Sequence, residues 1–139
     1  MKLKEIEKIS KEIFLEKSEI IAAYVYGSYL KSEFFEDIDL GLLVKDGFKP
    51  EVLFEEKISI LFEKRLKGKF KAYKPIDIRI LNGKSLRFLY SVLKNSKLIF
   101  SRDDYKRIQF ESKVIKEYLD IKPHHDLYDA MRRLRYAIR

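Results

Sequence analysis

Two aspartates one residue apart, in Asp37-Ile38-Asp39, and a third, Asp77, set inside the apolar run Ile76-Asp77-Ile78-Arg79-Ile80-Leu81, are the residues of this chain best suited to chemistry. Successive side chains of a strand alternate faces, so Asp37 and Asp39 project from one side while Ile38 and Leu40 turn to the other. Carboxylates held that close raise one another's pKa and repel, an arrangement that makes sense chiefly with a divalent cation between them. The pattern implies a metal. Upstream, Gly27 and Ser28 follow the apolar run from Ile20 to Tyr26. A strand that stops at Gly-Ser and restarts as a helix offers backbone N–H groups at a helix N-terminus. It has no Cβ at Gly27 to hold a phosphate away, and the Ser28 hydroxyl adds a donor. Asp77 would stand about 4.8 Å from the pair, one strand spacing, if the two strands are neighbours. A phosphate cradle and a three-carboxylate metal site would then share one cleft.

The elements that must position these residues follow from hydrophobic spacing. Leu3, Ile6, Ile9 and Ile13 recur at helical intervals over residues 3–17, with Lys and Glu on the other face. Ile20 to Tyr26 reads as a buried strand stopped by Gly27, and Ile38 to Val44 as a second, followed by an Asp46-Gly47 turn. Residues 51–67 are expected to form an amphipathic helix built on Phe54, Ile58, Leu61 and Leu66 and ended by Gly68. Pro75 precedes a third strand, Ile76 to Leu81; Asn82-Gly83 turns the chain, and Ser85 is placed to cap a helix reaching about Asn95. Lys97 to Phe100 suit a short fourth strand. From Asp103 to Leu119, Tyr105, Ile108, Ile115 and Tyr118 mark one face of a long helix, and after Pro123 a separate final helix is expected over residues 126–139. The expected fold class is α/β (α+β): one domain over residues 1–139, with a small mixed sheet flanked by helices and C-terminal helices from about residue 103.

With 139 residues, 46% of them hydrophobic and 14% aromatic, the chain has material for one real core. There is no cysteine, which excludes disulfides, zinc–thiolate sites and thiol catalysis together. The start, Met1-Lys2-Leu3-Lys4, lacks the apolar core of a signal peptide, so a cytoplasmic protein is expected. No apolar stretch approaches the roughly 20 residues needed to cross a bilayer, and no membrane partner is expected. Thirty Lys and Arg against 22 Asp and Glu give +8, a field that attracts phosphate-bearing molecules or an acidic protein. The same composition, 37% charged with two Asn, one Gln and no Cys, also fits growth at high temperature.

Gly-Ser, a gap, Asp-x-Asp and a third Asp on a later strand occur here in the order that resembles the nucleotidyltransferases of the DNA polymerase β superfamily. The chain is most similar to their minimal, MNT-type branch of short single domains. Its ending, Leu98-Ile99-Phe100-Ser101-Arg102-Asp103 leading to Glu117-Tyr118-Leu119-Asp120, resembles that of the antitoxins paired with HEPN-domain ribonuclease toxins. The resemblance covers nearly the whole chain and implies a polymerase β-like fold and adenylyl transfer from ATP. Carried over residue by residue, it implies that Gly27 and Ser28 hold the nucleotide's phosphates and that Asp37 and Asp39 bind Mg²⁺. Asp77 would complete the catalytic metal site and, near the attacking oxygen, accept its proton. The acceptor it implies is a tyrosine of a partner HEPN toxin, whose modification silences the RNase.

Some positions depart from that pattern. Eight residues separate Ser28 from Asp37, a shorter gap than is usual in this branch. Tyr29 stands where Arg commonly follows Gly-Ser, in a position to stack on the adenine, with Lys31 restoring the positive charge; Glu36 replaces a usual Ser. The short gap leaves open a module of the same fold that neutralises its partner by covering it. A transferase for a small molecule or an RNA end is a third reading, although such enzymes usually carry a further domain for the acceptor.

Other candidate motifs have simpler explanations. Asn82-Gly83-Lys84-Ser85 has the Gly-Lys-Ser of a phosphate loop, but Ile78 stands where that loop needs its first glycine, so a helix-capping turn is expected. His124 and His125 point about 100° apart on a helix, cannot easily share a metal, and suit a solvated helix start. Arg132, Arg133, Arg135 and Arg139 read first as a solvated face and second as a partner surface, so direct nucleic-acid binding is not expected. Asp77 has Arg79 as an alternative partner, and Tyr24 and Tyr26 default to core roles.

Overall fold

A computed structural model describes residues 3–27, 37–69 and 75–137. In chain order the elements are α1 (Leu3–Phe14), β1 (Ile20–Tyr26), β2 (Ile38–Val44), α2 (Phe54–Lys69), β3 (Ile76–Ile80), α3 (Leu86–Lys94), β4 (Lys97–Ser101) and α4 (Asp104–Ala137). The strands form one mixed sheet in the order β3-β2-β1-β4, the α/β class expected from the sequence. β1 runs antiparallel to both β2 and β4, whereas β2 and β3 are parallel and α2 lies between them in the chain, as a parallel pair requires.

Each face of the sheet has its own apolar layer. α1 and α2 cover one, packing Ile6, Ile9, Phe14, Ile58, Phe62 and Leu66 on strand residues that include Val25, Ile38, Leu40 and Leu42. α3 and α4 cover the other, where Leu89, Val92 and Val114 meet Ile21, Tyr24, Leu43 and Leu81. Strand alternation divides β2 cleanly: Ile38, Leu40 and Leu42 face the first layer, which leaves Asp39, Gly41 and Leu43 for the second. Gly41 is needed there, because a Cβ would stand 2.8 Å from the Leu81 side chain.

α1 stops at Phe14, three residues short of the expected end at residue 17, and Arg102 gathers carbonyls of its last residue and of the segment that follows. The guanidinium donates to the carbonyls of Phe14, Leu15 (3.1 Å), Lys17 (3.3 Å) and Ile20 (3.1 Å). A cation on the open end of a helix satisfies acceptors that lack intrahelical partners and suits the negative end of the macrodipole.

Three expectations need correction. Gly68 does not end α2 but lies inside it, with open space where its Cβ would be, and Phe62 rather than Leu61 fills the core position between Ile58 and Leu66. Glycine disfavours a helix interior by only about 1 kcal/mol, which buried neighbours on the same helix offset. Pro123 does not separate two helices: α4 is continuous from Asp104 to Ala137, and the histidines beside the proline lie within it. Contacts with α3 hold the helix on both sides of Pro123. Tyr118 stacks on Tyr90 with ring centroids 3.9 Å apart, while Arg87 donates to His125 (3.0 Å) and Asp129 (2.9 Å).

The buried stripe of α4 also differs from the expected one. Tyr105 and Ile108 are 72% and 50% exposed, whereas Val114 is buried and Phe110 packs partly against the sheet. A polar contact selects that stripe: the Tyr24 hydroxyl donates to Glu111 (2.7 Å), which Arg107 also holds at 3.0 Å. Burial, then the Glu111 carboxylate, push the Tyr24 hydroxyl far above its ordinary pKa. Among the described residues no helix is long and apolar enough to cross a membrane.

The turn after β3 is tied to the end of β2 by one side chain. The Asn82 amide accepts from the Val44 N–H (2.9 Å) and donates to the Val44 carbonyl (2.8 Å), extending the ladder where the backbones part. Asn82→Ala leaves both backbone groups without that partner. It is expected to lower stability by about 1–3 kcal/mol, read as a lower urea midpoint at unchanged slope.

Candidate active site

β1, β2 and β3 bring the three sequence-predicted aspartates together. Asp39 is the register partner of Asp77 across the parallel pair, so the neighbouring-strand condition is met. Asp37 precedes β2 by one residue and lies two positions from Asp39, on its face. One carboxylate oxygen from each of Asp37, Asp39 and Asp77 lies within 4.8 Å of the others, and all three side chains are half-buried.

The centre is electrostatically strained without a counter-charge. Burial first, then the charges of Asp37 and Asp77, raise the Asp39 pKa above its ordinary value; Arg79 opposes the shift, and a hydrogen bond with Asp77 adds to it. Arg79 sits 3.4 Å from Asp77, so the alternative partner considered for Asp77 is real, but it does not draw Asp77 out of the cluster. One exposed guanidinium against three carboxylates leaves net negative charge. An all-oxygen, anionic donor set suits a hard divalent cation such as Mg²⁺.

Gly27 ends β1 with φ +83°, in the left-handed region that favours glycine. A Cβ there would collide with the Asp39 carboxylate, so this glycine gives that side chain its room. Ser28, Tyr29, Lys31 and Glu36 lie outside the described residues.

Tyr26, given a core role by default from the sequence, borders this cluster. It pairs across the β1–β2 ladder with Asp39, and its ring meets Phe88 edge-on at 6.0 Å. Burial, then the carboxylates of Asp39, Asp77 and Glu55, push its hydroxyl up to about 12, with Arg79 opposing. The available signal was parity, since an antiparallel hairpin that aligns Tyr26 with Asp39 puts both side chains on one face. The phosphate-loop motif is a cap, as expected: Ser85 Oγ accepts from the Phe88 N–H at 3.3 Å. A cavity of about 880 Å³ lined by Lys45, Asn82, Lys106 and Lys113 opens at the other end of the sheet and takes no part in this site.

A mixed sheet whose parallel pair carries two of three clustered carboxylates, with the third just before it and a left-handed glycine at the end of the adjoining strand, fits a nucleotidyltransferase domain. The family model described as "Polymerase beta, Nucleotidyltransferase" matches residues 7–105, and the chain belongs to that family. No curated protein matches the sequence. Among solved structures, the fold is similar to that of a mutant of the MntA–HpeT toxin–antitoxin (TM-score 0.65, 16% identity, covering 94% of this chain and 99% of that one). A toxin–antitoxin with AMP-PNP matches with TM-score 0.65 and 18% identity over 90% of this chain and 98% of that one. A tri-AMPylated Shewanella oneidensis HEPN toxin in complex with MNT antitoxin matches with TM-score 0.61 and 19% identity over 93% and 99% of the two chains.

Proposed function

We propose that this protein is a Mg²⁺-dependent adenylyltransferase acting as an antitoxin, moving AMP from ATP to a tyrosine of a partner HEPN-domain ribonuclease. The single observation that carries this is the convergence of Asp37, Asp39 and Asp77 beside Gly27. The fold neighbours support the nucleotide and the partner, since one is a complex with AMP-PNP and another includes an AMPylated HEPN toxin.

In this mechanism Asp37, Asp39 and Asp77 hold the divalent ion. Bound there, such an ion would lower the pKa of the acceptor hydroxyl and neutralise charge on the departing pyrophosphate. Gly27 keeps the space beside Asp39 clear, and Ser28 donates to the triphosphate. The acceptor tyrosine's oxygen forms a bond to the α-phosphorus as the bond from that phosphorus to the α–β bridging oxygen breaks. Pyrophosphate leaves with the electron pair, and the phenolic proton passes to Asp77. Tyr29 stacks on the adenine and Lys31 supplies positive charge near the phosphates.

The test is incubation with ATP labelled at the α-phosphate and the co-encoded HEPN protein. Label is expected on a toxin tyrosine, with loss of RNase activity, and chelation of the divalent ion with EDTA is expected to stop transfer. A wild-type protein that transfers no label, or an Asp37→Asn variant that transfers as much as wild type, would reject the proposal.

A further inference from the structure

The geometry points to a positioning role for Tyr26: its hydroxyl donates to the Asp39 carboxylate and orients it when a divalent ion occupies the centre. This rests on reading the three carboxylates as metal ligands.

The hydroxyl oxygen of Tyr26 is buried and has no hydrogen-bond partner among the described residues. It is the one such side-chain atom among them. Buried polar groups are almost always paired, so a position that keeps an unpaired donor calls for an explanation. Packing does not supply one. The ring's edge-on contact with Phe88 would serve equally well without the oxygen, because phenylalanine presents the same ring. Tyr24, two residues earlier on the same face of β1, has its hydroxyl bonded to Glu111. The free donor is therefore particular to the tyrosine that faces the carboxylates.

Asp39 is the acceptor the topology offers. It lies directly across the antiparallel ladder, where facing side chains have Cβ atoms roughly 4.5–5.5 Å apart. A carboxylate accepts at both oxygens, which leaves Asp39 one for the ion and one for a neighbouring donor. Groups that orient a metal-ligating carboxylate in this way typically contribute 10–100-fold, roughly, to metal affinity.

Mn²⁺ binding and thermal unfolding of wild type, Tyr26→Phe and Tyr24→Phe separate this role from a structural one. Tyr26→Phe is expected to weaken Mn²⁺ binding by about 10–100-fold while its metal-free melting temperature stays at or above that of wild type. Tyr24→Phe is expected to do the reverse, melting lower because Glu111 loses its partner and binding Mn²⁺ as wild type does. Equal Mn²⁺ affinity in Tyr26→Phe and wild type overturns the role of Tyr26 and leaves the metal centre standing. A wild-type protein that binds no Mn²⁺ overturns both.

Discussion

Asp39→Asn is expected to lower AMP transfer by more than about 10²-fold, since the divalent ion proposed to bind there would supply several kcal/mol of charge stabilisation at roughly 1.4 kcal/mol per tenfold. The same substitution is expected to raise the melting temperature of the metal-free protein at neutral pH. Burial and two neighbouring carboxylates raise the folded-state pKa of Asp39 above its unfolded value. Between those two values the folded state binds the extra proton, so stability falls as pH climbs through the interval and stays lowered above it. Asparagine has no such charge and escapes the penalty, which is reduced in size by the solvent that reaches this half-open site. Metal binding runs the other way. It needs the deprotonated acid, so the stabilisation gained on adding Mg²⁺ to wild type should shrink as pH drops through the raised pKa, and should be small in Asp39→Asn at every pH. Melting curves with and without Mg²⁺ between acid and neutral pH provide the check. A variant that loses transfer and also melts lower without metal would mean that Asp39 is a structural residue.

Phe14→Ala is expected to be the most destabilising single truncation, costing about 3–5 kcal/mol of a total that for such domains is about 5–15 kcal/mol. Phe14 is fully buried at the end of α1. Its ring meets Phe62 of α2 at 5.7 Å and 60°, and Phe100 of β4 at 5.6 Å and 53°, so three elements share one aromatic contact. Its carbonyl is among those that Arg102 holds, and Arg102 in turn lies over the Phe100 ring at 5.6 Å. The cavity left by alanine is enclosed by these fixed neighbours and cannot collapse cheaply. A melting temperature lower by about 10–20 °C is expected, at unchanged urea slope. A shift of only a few degrees would indicate that α1 can slide into the void.

The sheet was legible because its strands are nearly unbroken apolar runs. Ile20–Tyr26 and Ile38–Val44 coincide with the runs themselves, and Ile76–Ile80 misses its run by one residue. The carboxylate cluster was legible for a related reason, since the alternation of a strand fixes the face of Asp37 and Asp39 without reference to the rest of the fold. What spacing cannot convey is which of several possible stripes a helix buries when its partner is remote in sequence. On α4 the choice falls to Phe110, Glu111 and Val114 through contacts with β1 and α3, and the continuity across Pro123 is enforced by Arg87 and Tyr90, which no local pattern contains. Arg102 was equally hidden, because its four carbonyl acceptors come from another part of the chain. The hydroxyl of Tyr26, unpaired among the described residues, escaped notice because a tyrosine in an apolar run suggests packing first.

The parallel register of β2 and β3 has a consequence for how activity is acquired during folding. Asp39 and Asp77 become neighbours only when two segments separated by the whole of α2 have closed their ladder. Non-local parallel pairing is among the slower events available to a small domain, because chain entropy is lost before contacts repay it. A hairpin of β1 and β2 formed early would carry Gly27, Asp37 and Asp39 yet lack the third acid, and so would be inert. Under the proposed function, ion capture would thus serve as a timestamp for completion of the nascent chain's architecture, and partly folded molecules would not squander nucleotide.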